Sequence, residues 1–150
     1  MDSPPSAASM SLERALSSLQ SEYMSGSGVR LKICVLGKTK VLKPAIQEQV
    51  YRISREVVVN ALRHSGAKII EVDVEYSRKR LRVRVRDNGC GIDPKIVESA
   101  RCLRGMQERA DSIGAQLQIW TGPGEGTEVE ISAPVGIAVQ DCTKSVGKRR

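Results

Sequence analysis

Two short runs constrain this chain more than any others. Residues 70–76 read Ile-Glu-Val-Asp-Val-Glu-Tyr, and residues 81–86 read Leu-Arg-Val-Arg-Val-Arg. Strict alternation of apolar and charged residues describes a strand with one dry face and one wet face. A turn centred on Arg78-Lys79 joins the two as an antiparallel hairpin. That register sets Glu75 opposite Arg82, Asp73 opposite Arg84 and Glu71 opposite Arg86. One face is then apolar and the other carries opposite charges in facing pairs, each contributing ~0.2–1 kcal/mol. A slip by one residue would turn every arginine into the core, so the register is strongly specified.

The remaining segments supply the layer that covers the apolar face. Leu12, Leu16, Leu19 and Tyr23 form one stripe on a short helix over 11–23, closed by Ser25-Gly26-Ser27-Gly28. Residues 29–36 alternate as a strand that turns at Gly37-Lys38. Pro44 suits the first turn of a long helix. Ile46, Val50, Ile53, Val57 and Ala61 keep its helical period up to Ser65-Gly66, where a C′ glycine ends it. After Asp93-Pro94 a short helical segment runs to about Ala100, and a second helix spans 103–113 before Gly114. Strands over 116–120 and 127–133 follow, joined by Gly122-Pro123-Gly124-Glu125-Gly126. The pattern then fades into a basic tail. The order predicts an α+β two-layer sandwich: a mixed, mostly antiparallel sheet with helices on one face.

Bulk composition excludes several functions. One hundred and fifty residues suit a single core, built from Val, Ile, Leu and Ala, since there is one Trp, three Tyr and no Phe. The net charge of +7 raises nucleic acid as a partner. However, Lys144, Lys148, Arg149 and Arg150 lie in the tail, Arg82, Arg84 and Arg86 serve the hairpin, and aromatic stacking platforms are lacking. Cys34, Cys90, Cys102 and Cys142 have no C-x-x-C spacing and only one His accompanies them, which argues against zinc and against a secreted disulfide framework. Reduced thiols in a cytoplasmic setting are expected. No apolar run approaches the ~20 residues of a membrane span. Residues 1–10 lack the basic and apolar regions of a signal peptide and read as a disordered leader.

Chemistry concentrates in two places. On the long helix Glu56, Asn60 and His64 are spaced by four, with Arg63 beside the last, so they share a slowly drifting stripe. Alone, such a triple reads more readily as a solvated face, and it is the glycine-rich loop that decides for a site. The second place is Asp87-Asn88-Gly89-Cys90-Gly91-Ile92-Asp93. Asp87 continues the inward series Leu81, Val83, Val85, and an inward acid is costly without a partner. A purine amino group would be one. Gly89 and Gly91 allow a sharp turn and close approach of a ring or phosphate. Thr127 precedes Val129 and Ile131 on the inward parity, so its hydroxyl faces the same region.

These phrases carry a resemblance. YRISREVVVNALRHSGAKIIEV resembles the N box of the ATP-binding catalytic domain of sensor histidine kinases, RVRDNGCGID the first glycine box, and GPGEGTEVEI the last. The wider group includes gyrase, the mismatch-repair ATPase and the ninety-kilodalton heat-shock chaperone. LRGMQERADSIGAQLQIW is similar to the nitrate-sensor-like branch, where an L-x-G-M-x-E-R-A helix follows the lid. The resemblance covers about two thirds of the chain, with the motifs in family order. It implies a short helix and linker over 11–28, the catalytic domain over 29–135, and a basic tail over 136–150.

The same resemblance implies ATP and Mg²⁺. Asn60 matches the Mg²⁺ ligand, and Glu56 the acid that orients or activates the nucleophile. Arg63 and His64 match positions facing phosphate and ribose. Asp87 matches the acceptor of the adenine amino group, with Gly89, Gly91 and Thr127 lining the base and Ile92 and Leu103 completing the nucleotide set. The implied reaction moves the γ-phosphoryl of ATP to a histidine on a separate dimerisation domain, with a response regulator served indirectly. Isolated, the chain is expected to be a monomer, touching neither membrane nor nucleic acid; whether its parent receptor is membrane-anchored stays open.

Two departures from the family pattern bear on this reading. His64 is the only His and sits in the N box, so no phospho-acceptor is present. The lid is short, and Ala100-Arg101-Cys102-Leu103 stands where a G-x-G-L phosphate cradle is expected. A Cβ there hinders the backbone nest, while Arg101 and Arg104 offer side-chain phosphate ligands instead. Weak ATP binding with an intact adenine pocket is the expectation. The alternatives are a degenerate, non-catalytic ATPase-like module acting in protein interaction, and an anti-sigma-type serine kinase, against which the L-x-G-M-x-E-R-A helix argues.

Overall fold

The computed structural model describes residues 11–64, 66–90, 101–122 and 124–138; within these, the side chains of His64, Arg101, Cys102 and Ile137 are not described. The elements run α1 (Leu12–Ser17), α2 (Leu19–Tyr23), β1 (Arg30–Gly37), α3 (Pro44–His64), β2 (Ile69–Tyr76), β3 (Arg80–Asp87), α4 (Arg101–Ser112), β4 (Gln116–Gly122), β5 (Gly126–Pro134) and α5 (Val135–Ala138). The helical segment expected before Ala100 lies outside the described residues.

The five strands form one sheet in the order β1-β2-β3-β5-β4. β1 and β2 are parallel, connected through α3, and the other three pairings are antiparallel. The hairpin register is the expected one: Glu75↔Arg82, Asp73↔Arg84 and Glu71↔Arg86. Its two-residue turn uses no positive φ outside glycine. Ser77 closes it instead, with its N–H donating to the Arg80 carbonyl at 3.0 Å and its hydroxyl accepting from the Arg80 N–H at 3.2 Å.

The charge ladder is wider than the hairpin alone suggests. β3 lies between two acidic strands, so its arginines serve both sides. Arg82 reaches Glu75 (3.5 Å) and Glu130 (3.2 Å), while Arg86 reaches Glu71 and Asp73, both at 3.2 Å. Arg84, in register with Asp73, turns to Glu128 (3.3 Å) and Glu130 (3.6 Å) on β5. These pairs are partly solvated, so each adds little stability, and their larger effect is on register.

The opposite face reads as rungs across the sheet. Ile33, Val72, Val85, Val129 and Ile119 align in one, and Val35, Val74, Val83, Ile131 and Leu117 in the next. The central members are nearly inaccessible. α3 covers them with Val50, Ile53, Val57, Val58 and Ala61, all buried, as the 3.6 period requires. Ser54, also buried on α3, satisfies its hydroxyl on the Val50 carbonyl at 2.8 Å.

The segment read as one helix over 11–23 is two. Ser18 separates α1 from α2, its hydroxyl bonding back to the Ala15 carbonyl at 2.7 Å in competition with regular helix bonding. Both pieces join the core through Leu12, Leu16 and Leu19. Tyr76, at the far rung, donates its hydroxyl to Glu13 at 3.0 Å and ties α1 to the sheet. Burial, then the Glu13 carboxylate, pushes the Tyr76 hydroxyl well above its usual pKa. At the other terminus residues 136–138, read as the start of a tail, belong to α5. Ala138 is buried and its carbonyl accepts from Lys43 N–H at 2.8 Å.

Candidate functional site

One rung of the inner face breaks the apolar rule. Ile70 pairs with Asp87, Asp87 with Thr127, and Thr127 with Thr121, so a carboxylate and two hydroxyls stand in line at one end of the sheet. The parity argument for Asp87 and Thr127 holds: both are half-buried and continue inward rows. Asp87 Oδ1 accepts the Gly89 N–H at 2.8 Å, an Asx-type turn that leads the chain away from β3 and orients the carboxylate. Thr127 and Thr121 hydroxyls lie 2.9 Å apart, and Thr121 Oγ1 is 3.3 Å from the Gly126 carbonyl oxygen.

Three loops are stitched together around this rung. The Asn88 side-chain oxygen accepts from the N–H groups of Lys68 and Ile69 at 2.9 and 3.1 Å, joining the end of β3 to the connection leaving α3. The Gly124 N–H donates to the Cys90 carbonyl, joining the two glycine-rich loops. Gly126 has φ +77, and a Cβ there would run into the carbonyl oxygen of Asp87. That position is glycine because backbone meets backbone at the rung carrying the acid.

α3 brings its polar stripe to the same end of the sheet, since Gly66 (φ +70) ends the helix and β2 starts at Ile69, one residue before the partner of Asp87. Along the stripe Glu56 is exposed, Asn60 half-buried and Arg63 exposed. His64 is the last residue of α3. Arg55 lies over the Tyr51 ring at 5.6 Å, which accounts for that cation without a ligand. Leu103 is partly buried against the core from the first turn of α4. Arg101-Cys102-Leu103, aligned with the glycine cradle of the lid, is therefore helical backbone. Gly91 and Ile92 lie outside the described residues. α4 lies against α3, where Arg109 donates to Gln49 at 3.2 Å.

Asn88, Thr121 and Gly126 escape single-residue reading of the sequence. Thr121 follows Leu117 and Ile119 at the same parity, a signal lost when β4 is ended at Trp120 rather than at Gly122. Asn88 points outward by parity and acts by capping, which spacing does not disclose.

The arrangement offers hard oxygen donors. Among the described residues no three His, Cys, Asp or Glu side chains converge on a metal position. The half-buried Asn60 offers one amide oxygen, which suits an ion such as Mg²⁺ that keeps most of its waters and takes one or two protein oxygens. No helix among the described residues is long and apolar enough to cross a membrane.

Comparison with known proteins agrees with this geometry. The family model for the histidine kinase-, DNA gyrase B-, and HSP90-like ATPase matches residues 45–137. Sensor protein VraS of Staphylococcus haemolyticus is 37% identical over 92 residues, covering 60% of this chain and 26% of that protein. VraS of Staphylococcus aureus (strain COL) matches to the same extent. The chain thus aligns with about a quarter of these curated relatives. The histidine kinase domain of the Erythrobacter litoralis EL346 blue-light activated histidine kinase superposes with TM-score 0.71 at 23% identity, covering 91% of this chain and 66% of that one. Full-length ShkA in complex with AMPPNP gives TM-score 0.71 at 18% identity over 92% and 31%. At these identities the structures establish a shared fold.

Proposed function

Because the chain belongs to the histidine kinase-, DNA gyrase B-, and HSP90-like ATPase family, as the ATP-binding catalytic domain of a sensor histidine kinase, we propose that it delivers the γ-phosphoryl of ATP to a histidine on a separate dimerisation domain. It belongs to the nitrate-sensor-like branch, and a response regulator receives the phosphoryl group afterwards. The observation that carries this reading is the polar rung. Asp87 ends an otherwise apolar row, one oxygen engaged by Gly89 N–H. The carboxylate accepts the adenine amino group, a hydrogen bond to a charged acceptor that is strong in a half-buried setting. Thr127 and the glycine backbones at Gly89 and Gly91 line the base, with Ile92 and Leu103 against its apolar surfaces.

The helix stripe serves the other end of the nucleotide. Arg63 and His64 face the phosphates and ribose. Asn60 holds Mg²⁺ through its amide oxygen, and the ion when bound neutralises phosphate charge. Glu56, exposed on α3, orients the incoming histidine or accepts its proton. The contribution of such a site is mainly positioning and charge neutralisation.

Calorimetric titration with ADP and a non-hydrolysable ATP analogue, with and without Mg²⁺, tests this. Binding strengthened by Mg²⁺ is expected. Asp87→Asn replaces an acceptor oxygen by a donor facing the amino group and should weaken binding by about 1.5–3 kcal/mol, roughly 10- to 150-fold. A folded wild-type protein giving no heat would instead make this a non-catalytic interaction module. Phosphorylation of a supplied histidine domain, rather than of a serine protein, tests the acceptor.

A further inference from the structure

Independently of the nucleotide reading, we propose that the end of the sheet opposite the polar rung is a docking surface for an anionic lipid bilayer. The observation is a cluster of six cations, Lys38, Lys40, Lys43, Arg78, Lys79 and Arg80, gathered from two segments far apart in sequence. β1 and β2 finish together at the Gly37↔Tyr76 pair. Six residues along β2 separate that pair from Ile70, the partner of Asp87, so the two ends lie about 20 Å apart at ~3.3 Å per residue.

Hydrogen bonds hold these segments against each other. The Lys40 ammonium donates to the Ser77 carbonyl at 2.9 Å, and Arg80 Nη1 donates to the Ser132 hydroxyl at 2.8 Å. Both acceptors are neutral, so the contacts orient the cations without discharging them. The Lys79 carbonyl accepts from Val135 N–H at 2.8 Å, and Lys43 N–H reaches the Ala138 carbonyl at the same distance. Lys38, Lys43, Arg78 and Lys79 are exposed. No acid occurs in residues 37–47, 77–81 or 133–138. Glu75, near the end of β2, is paired with Arg82, and Glu13 is turned to the Tyr76 hydroxyl.

Two features select lipid over other polyanions. Val41 is 60% exposed between Lys40 and Lys43, and Leu36 is 44% exposed beside Gly37. Aliphatic side chains among lysines suit the boundary between headgroups and acyl chains. Single-stranded nucleic acid is gripped through stacking aromatics instead, and residues 37–47 and 77–81 hold none. Four of the six cations are Lys, point charges without the fork that singles out one carboxylate or phosphate, and a diffuse surface potential needs no fork. Beyond Ala138, which lies at this end, residues 139–150 add four cations and one acid. Contact of this kind lies on a membrane and does not cross it, so it departs from the expectation of no membrane contact without needing a spanning helix. The polar rung stays at the end facing away from the bilayer.

The test sediments the full chain with vesicles of phosphatidylcholine, with and without about one third phosphatidylglycerol. At about 0.1 M salt the chain should pellet with the anionic vesicles and not with the neutral ones, and about 0.5 M salt should release it. Each cation at such a surface contributes about fivefold, so Lys38→Gln with Lys79→Gln should weaken binding about 30-fold. Arg30→Gln with Lys68→Gln removes the same charge from exposed positions at the other end of the sheet and should weaken it less than about threefold. Val41→Ser should weaken binding severalfold and leave its salt dependence unchanged. Equal losses in the two double variants would mean attraction to net charge alone and would overturn the proposal, as would no binding to anionic vesicles. Retention of DNA or RNA by a chain that ignores the vesicles would overturn it in favour of nucleic acid.

Discussion

Gly124 and Gly126 have almost the same backbone, φ +76 and +77, but different surroundings. A Cβ at Gly124 meets nothing within 4 Å, whereas at Gly126 it runs into the Asp87 carbonyl oxygen. Alanine in the left-handed region costs ~1–2 kcal/mol, partly offset by ~0.4–1 kcal/mol from a less free unfolded chain. Gly124→Ala should thus destabilise by about 0.5–1 kcal/mol. Gly126→Ala carries that cost and must also push β5 from β3 at the Asp87↔Thr127 rung. Losing one or two hydrogen bonds there, at about 1 kcal/mol each, brings the total to about 1.5–3 kcal/mol. With a urea m-value near 2 kcal/mol/M, the midpoints should fall by about 0.4 M for Gly124→Ala and by about 0.8–1.5 M for Gly126→Ala. Gly37→Ala is the control for location. Its φ is +83 and its Cβ would meet the Tyr76 carbonyl oxygen at the opposite end of the sheet. It should lose as much stability as Gly126→Ala while binding ADP like wild type. Gly126→Ala should bind ADP at least tenfold more weakly where both are fully folded. Equal midpoints for the Gly124 and Gly126 variants, within 0.2 M, would refute the steric account.

Two further perturbations probe other parts of the molecule. The raised pKa of Tyr76 means the native state holds its phenolic proton when the unfolded chain has lost it, so this stabilisation is complete below about pH 10 and is lost as pH rises above it. Urea midpoints at pH 8 and pH 11 should therefore fall more steeply for wild type than for Tyr76→Phe, and parallel slopes would contradict the assignment. In the lid, Ala100→Gly with Cys102→Gly should tighten binding of a triphosphate analogue severalfold and leave adenosine unaffected; unchanged affinity for the triphosphate would show that the missing glycines do not limit the phosphate grip.

Much of the fold was legible because period and parity are geometric. The alternation of 70–76 with 81–86 fixes which side chains face inward, and the observed register follows from it. Helix ends were readable where glycine adopts a left-handed φ, at Gly66 and Gly114. What escaped depends on tertiary neighbours. Nothing local tells Arg84 that β5 will bring Glu128 and Glu130 beside it, nor that β1 will lie parallel to β2. Ser18 dividing α1 from α2 escaped for the opposite reason: its hydroxyl overrides an apolar stripe that is otherwise continuous.

The site divides along the same line. Asp87 and Thr127 were legible because a polar residue at an inward position contradicts its row, and such local conflicts are expected at functional sites. Thr121 obeys the identical rule, and only a strand boundary drawn two residues early concealed it. Asn88 and Gly126 contradict nothing in their own strands. Their necessity comes from where other backbones arrive: Lys68 and Ile69 at the Asn88 amide, and Asp87 itself above Gly126. Inward parity therefore identifies the groups that could meet a base, while the residues holding those groups at the correct spacing emerge only once the strands are paired. For this chain the polar rung is the part the sequence announces, and the stitched loops that keep it rigid are the part that folding supplies.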